Sequence, residues 1–353
     1  MKRAVKALLC LLAVLVLVVG AYAAYVLIDY HRIGDCEIAV SGEGAAAETD
    51  TAYSVITYNI GFAAYTPDFG FFMDGGTESR AASKESVETV MGEISSFFKT
   101  QDADFLMVEE VDVDATRSRH VDEWSRLLWE LEDYTCTFVY NYDSPYLFYP
   151  IPEPFGKSQS GMLTASRFAV TESLRKELPV EESLYKLLDL DRCYAVNRVP
   201  VENGRELVLY TVHLSAYTSD GTVATEQLKL LLGDMQSEYE KGNYVVCGGD
   251  FNKDLLGDSS AVFGVSGEGQ TWAQTFPAEL LEGFALSLVD LGGEGAVPSC
   301  RNADGPYHEG QFVLTVDGFL VSENVEILEA EVLDTGFAWS DHNPVRLQFS
   351  LQG

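Results

Sequence analysis

Short apolar runs that stop at polar groups recur along the chain. Tyr53–Tyr58 is rich in β-branched and aromatic residues and ends at Asn59, with Gly61 just beyond. Asp104–Val108 has a buried-strand pattern and ends at Glu109-Glu110; Ser160–Ser166, Val196–Val201 and Glu206–Val212 read as further strands, the last leading into His213. Tyr244–Cys247 stops at Gly248-Gly249, and Asp250 and Asn252 follow. Two-residue spacing would put both side chains on one side of an extended segment, with the glycines allowing a tight turn and close approach to a ligand. Phe312–Val321 reads as a strand with Asp317 inside it, and Ser340-Asp341-His342-Asn343-Pro344 precedes a last strand, Val345–Leu351.

Helical spacing intervenes. Ser83–Lys99 repeats Val87, Val90, Met91, Ile94 and Phe97, with Ser83 and Ser86 as candidate caps; Val121–Leu131 and Ala224–Tyr239 are the other clear helices. Residues 65–80, 112–120, 257–269 and 292–310 read as loops, the last glycine-rich and mobile, and 144–156 as a proline- and aromatic-rich loop lining a cleft. There is no internal repeat. The pattern alone supports a mixed α/β or α+β domain over residues 51–353.

Ahead of that domain, Lys2, Arg3 and Lys6 form a basic flank at 1–6, and Ala7–Ile28 is uncharged and apolar, close to the roughly 20 residues of a spanning helix. The flank predicts a cytoplasmic N-terminus and an exported body at the cell membrane. Ala21-Tyr22-Ala23 is a competing signal-peptide cleavage site that would give a secreted protein, but the apolar stretch runs on past it. Residues 29–50, rich in Gly, Ala and Glu, read as a linker holding the body off the membrane. A formal charge of −32 opposes tight nucleic-acid binding, which depends on phosphate neutralisation. It does not oppose chemistry on a phosphate, because a bound cation reverses the local sign. Of six cysteines none forms a Cys-x-x-Cys pair, so zinc-site spacing is absent; one disulfide is open.

Taken singly, the polar strand ends are ordinary: an Asn there is commonly a turn former, and a lone His is more often structural than catalytic. Their order is informative. Thr57-Tyr58-Asn59, Val108-Glu109-Glu110-Val111, Val212-His213-Leu214, Gly249-Asp250-Phe251-Asn252, Val316-Asp317-Gly318-Phe319 and Ser340-Asp341-His342-Asn343-Pro344 follow one another from about Ala52 to Leu351. In this the chain resembles the endonuclease/exonuclease/phosphatase superfamily of DNase I-like phosphoesterases.

The resemblance implies a four-layer α/β/β/α sandwich with the site at one edge. It implies that Glu110 binds Mg²⁺ (or Mn²⁺) with Asn59 and Asp341 nearby, that Asp250 orients or deprotonates the attacking water with Asn252, and that His342, polarised by Asp317, bonds a phosphate oxygen or moves a proton. His213 would stabilise the phosphoryl charge or protonate the leaving oxygen, and Asn141 would contact phosphate. In-line attack on phosphorus independently calls for such a set, a base on one side, an acid on the other, and cations against the growing charge. Two departures from the family pattern stand out. Glu109 replaces the usual Gln, and Gly61 stands where some nucleases carry an acid.

The expected partners are a phosphate-ester substrate (nucleic acid, phospholipid head group or small phosphate ester) and, through the N-terminal helix, a lipid bilayer. A non-catalytic binding module with the same fold is the alternative, and a plain scaffold would let the polar strand ends diverge in space.

Overall fold

The computed structural model describes residues 2–181, 186, 191–216, 222–265 and 273–353. Within 257–269, the part beyond 265 lies outside the described residues.

Two βαβ units lie at the centre. Strand β2 (Ala52–Asn59) leads through α2 (Lys84–Gln101) to β3 (Phe105–Ala115), and β2 and β3 pair in parallel, Asn59 opposite Glu109. Strand β8 (Glu206–His213) leads through α4 (Thr222–Glu240) to β9 (Tyr244–Asp250), again in parallel, His213 opposite Asp250. Each unit therefore sets two polar residues side by side, at the carboxyl ends of β2, β8 and β9 and midway along β3; strand carboxyl ends are where open α/β sheets present ligand groups.

The units belong to different sheets. With β4 (Thr135–Asp143), β5 (Ser158–Ser166), β14 (Val325–Val332) and β15 (Val345–Leu351), the first forms a six-stranded sheet in the order β14-β15-β2-β3-β5-β4. With β1 (Cys36–Ile38), β6 (Glu172–Glu177), β7 (Cys193–Pro200), β10 (Leu286–Leu288) and β13 (Asp317–Ser322), the second forms a seven-stranded sheet in the order β1-β6-β7-β8-β9-β13-β10. The sheets pack face to face, with α2 and α3 (Glu123–Glu130) outside one and α4 outside the other. This is the four-layer sandwich, and it explains why the central strands are apolar on both faces. In β2, Tyr53 and Val55 meet Phe105, Leu209 and Val246 between the sheets, while Ile56 and Tyr58 meet Val90, Ile94 and Phe98 beneath the helix. Each such side chain, fully buried, contributes about 1.5–3 kcal/mol.

Ser83 caps α2, its hydroxyl accepting from the Ser86 amide at 3.1 Å, and Asp102 closes the helix in the left-handed conformation. Leu228, Leu231, Leu232 and Met235 bury one face of α4, as their spacing predicts.

Several boundaries differ from the sequence reading. Strand β3 runs through Glu109-Glu110 to Ala115, so half of the expected 112–120 loop is strand. The expected 312–321 strand is two, β12 (Val313–Leu314) and β13, with Asp317 opening the second. Within 292–310, Cys300–Arg301 forms β11, paired to β12, and the Arg301 side chain is buried. A short helix, Ser259–Phe263, interrupts the 257–269 loop. Between 29 and 50, β1 is an edge strand on β6 and Ala47 bridges Val201, so this segment is stitched to the body. No disulfide forms; all six cysteines are free.

Helix α1 (Lys2–Asp29) is long and apolar enough to cross a membrane. Its C-terminal end touches the body. The Tyr22 hydroxyl donates to the Tyr146 carbonyl and the Tyr25 hydroxyl accepts from the Tyr146 amide, both at 3.0 Å.

Candidate active site

Three neighbouring strands set the first row of the site. Asp250 on β9 lies in register with His213 on β8 and with Asp317 on β13, so the three side chains stand abreast at one sheet edge, separated by the spacing of strands, about 4.8 Å. The register leaves no room for side chains at the two residues before Asp250. A Cβ on Gly248 would lie 2.5 Å from the Phe319 ring and 2.8 Å from Met107 Sδ, and one on Gly249, at φ +148°, would lie 1.9 Å from the Val212 carbonyl oxygen. Both glycines are thus required by strand and sheet packing, not by a turn or an approaching ligand.

Asn59 crosses from the other sheet and its side-chain amide donates to Asp250 Oδ2 at 3.1 Å, while its side-chain oxygen Oδ1 accepts the Gly61 amide at 3.0 Å. Asp250 Oδ1 accepts from the Asn252 backbone amide at 2.8 Å. Asn252 is not in extended backbone; at φ +49° it lies past the strand end, and its side-chain amide donates to the Leu214 carbonyl at 2.8 Å. It holds the turn below Asp250, and the two side chains do not run parallel as strand spacing had implied.

The histidines flank Asp250. His213 Nε2 is 3.6 Å and His342 Nε2 4.0 Å from Asp250 Oδ2. His342 Nδ1 bonds Asp317 Oδ2 at 2.8 Å, and that oxygen also accepts the Ser299 hydroxyl at 2.7 Å. Burial pulls the His342 imidazolium down in pKa, but Asp317, Cys300 and Asp341 outweigh it and hold it well above the ordinary value. His213 goes the other way: burial, Arg192, His342 and Arg117 keep it neutral, with a pKa well below 6.5. Its Nδ1 is buried without a hydrogen-bond partner among the described residues. Burial, reinforced by Asp317 and only partly offset by His342, raises Asp250 to about 7. Neighbouring titratable groups whose pKa values are pushed apart by their surroundings are the arrangement proton transfer requires.

Two β-bulges bring in the next residues. Val108 pairs Leu163 and Val111 pairs Gly161, so Glu109 and Glu110 together face one residue of β5. On the other side of β5, Tyr140 pairs Gly161 and Tyr142 pairs Ser160, leaving Asn141 extra. Bulges re-aim side chains. Here they turn Glu110, at φ +57°, and Asn141 towards the same cavity, with Gly161 between them. Gly161 is obligatory, since a Cβ there would be 2.2 Å from the Val139 carbonyl oxygen. Asn141 Nδ2 is buried and has no partner among the described residues.

Glu109 points between the sheets, fully buried; its carboxyl accepts the Thr57 hydroxyl at 3.0 Å and is pushed well up in pKa by burial and by Asp317. The added acid of the Glu-Glu pair therefore sits behind the site rather than in it. Gly61 also has a reason. A Cβ there would be 3.1 Å from both Asp341 Oδ1 and Ser340 Oγ, and Ser340 itself bonds the Asn59 carbonyl at 2.8 Å.

All nine residues read from the sequence thus lie at one end of the sandwich. Of the basic group Arg117, Arg119 and His120 in 112–120, for which a phosphate contact and a solvated turn are equal readings of the sequence, Arg117 is the one that reaches the cavity; it lies 3.4 Å from Glu110, 2.8 Å from Asp112 and 4.0 Å above the Phe62 ring, whereas Arg119 pairs with Glu153 and exposed His120 with Asp114. Sequence reasoning missed others. Arg192 and Ser160 line the same cavity, and Cys300 Sγ lies 3.7 Å from His342 Nε2. Arg192 sits one residue before β7 in a segment without periodicity, and nothing local marks it.

The polar strand ends converge, which a scaffold would not require. The sequence model of the Endonuclease/Exonuclease/phosphatase family matches residues 56–342, most of the chain and every segment of this constellation. The chain belongs to that family. Its members are hydrolases acting on phosphoester bonds, and this chain is a hydrolase of that class. Solved structures agree in fold. The family member from Beutenbergia cavernae DSM 12333 is 19% identical with a TM-score of 0.60, covering 86% of this chain and 72% of its own. ANGEL2, a 2′,3′-cyclic phosphatase in complex with adenosine-2′,3′-vanadate, is 18% identical with a TM-score of 0.57, over 92% and 100%. The human Nocturnin catalytic domain with bound sulfate is 16% identical with a TM-score of 0.56, over 89% and 99%. No curated protein sequence matches.

Proposed function

We propose that this family member is a divalent-metal-dependent phosphoesterase, held at the membrane by α1 with its body outside the cytoplasm, that hydrolyses a phosphodiester or phosphomonoester by in-line attack of water. The observation that carries the reading is the contact chain Asn59–Asp250–His342–Asp317 across the gap between two sheets, beside a cavity lined by Glu110, Asn141 and His213.

The donor set suits a hard cation. Four carboxyls, those of Glu110, Asp250, Asp317 and Asp341, crowd one edge, and burial raises Asp341 as it raises Asp250. Asp317 Oδ1 is buried without a partner among the described residues, and oxygen ligands of this type favour Mg²⁺ or Mn²⁺. Glu110 and Asp341, with Asn59 behind them, would hold the ion, which would supply Lewis-acid polarisation of a phosphoryl oxygen.

The chain's own residues do the rest. Asp250, as carboxylate, takes the proton of the attacking water while Asn59 and the Asn252 amide fix its oxygens. Asp317 holds His342 charged, so that its Nε2 proton faces the phosphoryl oxygen. Neutral His213 offers a hydrogen bond from the opposite flank, and Asn141 offers its unpartnered amide. The test is hydrolysis of bis-p-nitrophenyl phosphate and p-nitrophenyl phosphate by the full chain with Mg²⁺ or EDTA, beside Asp250→Ala and His342→Ala. Mg²⁺-dependent turnover lost in both variants supports the reading, and the preferred reagent separates diesterase from monoesterase. A folded protein that turns over neither these nor natural nucleic-acid and phospholipid substrates is a binding module instead.

A further inference from the structure

The cavity has two unlike ends. Its volume is about 590 Å³, within the range of sites that enclose a small organic molecule. Glu110, Arg117, Asn141, Arg192 and His213 form the inner, polar end. The outer wall is apolar and comes mostly from the 144–156 loop, where Phe148, Tyr149 and Ile151 are 57%, 69% and 83% exposed. A soluble enzyme gains nothing from three large exposed apolar side chains on one loop, and such a patch marks a contact with lipid, ligand or partner.

One wall residue decides among these. Tyr22, from the apolar helix α1, also lines the cavity, with its ring 5.1 Å from that of Phe148 and edge-on to it. Counted from Ala7, next to the basic flank, roughly 30 Å of bilayer hydrocarbon takes about 20 residues at 1.5 Å each, so the helix leaves the hydrocarbon near Val26. Tyr22 and Tyr25 lie in the last turns before that exit, close to the interfacial place that tyrosines favour. The docked loop is thereby set at the boundary between head groups and acyl chains, and the mouth of the cavity opens there.

We propose, building on the phosphoesterase reading, that the substrate is a membrane amphiphile carrying a phosphate ester. Its phosphate enters the polar end, between Arg117, Asn141 and His213, while its apolar chain lies along Phe148, Tyr149, Ile151 and Tyr22 with the remainder still in the bilayer. Water oxygen bonds to phosphorus as the bond from phosphorus to the leaving oxygen breaks, and that oxygen takes up a proton. The site thus selects its substrate by chain as well as by head group, and a soluble polyanion, repelled by the net charge of −32, has no counterpart for the wall.

The experiment compares 4-nitrophenyl methyl phosphate with 4-nitrophenyl octyl phosphate, using the full chain in phosphatidylcholine nanodiscs with Mg²⁺, alongside Phe148→Ser and Ile151→Ser. Each fully buried methylene changes kcat/KM about fourfold, so even partial cover of the octyl chain should raise the octyl-to-methyl ratio about tenfold or more. Both variants should bring that ratio down towards one. Hydrolysis of both esters at similar kcat/KM would overturn the amphiphile assignment and leave the phosphoesterase standing. A high ratio unchanged in both variants would also overturn it, since partition into the disc would then account for the preference. No hydrolysis of either ester would overturn the amphiphile assignment and, where p-nitrophenyl phosphate is not hydrolysed either, the phosphoesterase reading with it.

Discussion

Gly249 offers the sharpest test of how the sheet positions the chemistry. In Gly249→Ala the new methyl would lie 1.9 Å from the Val212 carbonyl oxygen, a backbone atom of the adjacent parallel strand that cannot rotate away. Relief requires β8 and β9 to part by about an ångström, and the next pair along the ladder is His213 with Asp250. Overpacking costs about 1–3 kcal/mol and a side chain at positive φ about as much again, so a loss of about 2–6 kcal/mol is expected, a large share of the stability of a typical domain. The same displacement separates His213 from Asp250, now 3.6 Å apart, and misplacement on that scale lowers turnover about 100-fold.

Gly248→Ala is the control. Its methyl meets the Phe319 ring and the Met107 thioether, side chains that can shift within the inter-sheet layer. It should lose about 1–3 kcal/mol with turnover within about threefold of wild type. Urea unfolding and hydrolysis of bis-p-nitrophenyl phosphate would be measured for both variants. A Gly249→Ala protein as stable and as active as wild type would refute the argument, as would equal loss of activity in the two.

Other expectations concern single groups. Asp317→Asn removes the anion that holds His342 charged, so the His342 pKa should fall, as read by NMR titration, and turnover should drop about 100-fold or more while the fold persists. With Asp250 raised to about 7, kcat/KM should climb with pH through an acid limb near that value; Asn59→Ala, which takes away a hydrogen bond favouring the carboxylate, should move the limb to higher pH. Far from the site, Glu238 is buried against Arg198, Lys241 and Asn243, which outweigh the effect of burial and lower it to about 2. Because the folded pKa is depressed, its stabilisation is present above the unfolded value near 4.3 and lost as pH falls towards 2. Glu238→Gln should therefore cost about 3 kcal/mol in urea unfolding at pH 7 and little at pH 2.

Much of the fold was legible because the four-layer arrangement buries both faces of the central strands. That yields continuous apolar runs such as Val345–Leu351, found with its boundaries unchanged, and it leaves the polar strand ends conspicuous. The edges were less legible. Strand β1 pairs on one side only and has one partly buried apolar residue, Ile38, so no pattern distinguishes it from linker. Nor does composition announce a bulge. Glu110 was placed at a strand end, where an acid is expected, whereas it stands inside a strand that continues for five more residues. Ser299 and Cys300, which back Asp317 and His342, lie in a glycine-rich stretch whose local chemistry says loop; only the long-range bridge from Cys300 to His342 gives them a role.

The two bulges say how this site is written into the chain. Each is one residue more than the pleat needs, and across the bulge in β3 the inward and outward alternation stays in step with β5, Val108 and Val111 both lying under the helices. Removing Asn141 would therefore let β4 and β5 pair without interruption. Such a chain should unfold in urea close to wild type and yet hydrolyse poorly, and a collapse of stability would show the bulge to be structural. Scaffold and chemistry here are separable by length rather than by residue type. A survey of point substitutions would leave that part of the code unread, because what it encodes is an insertion.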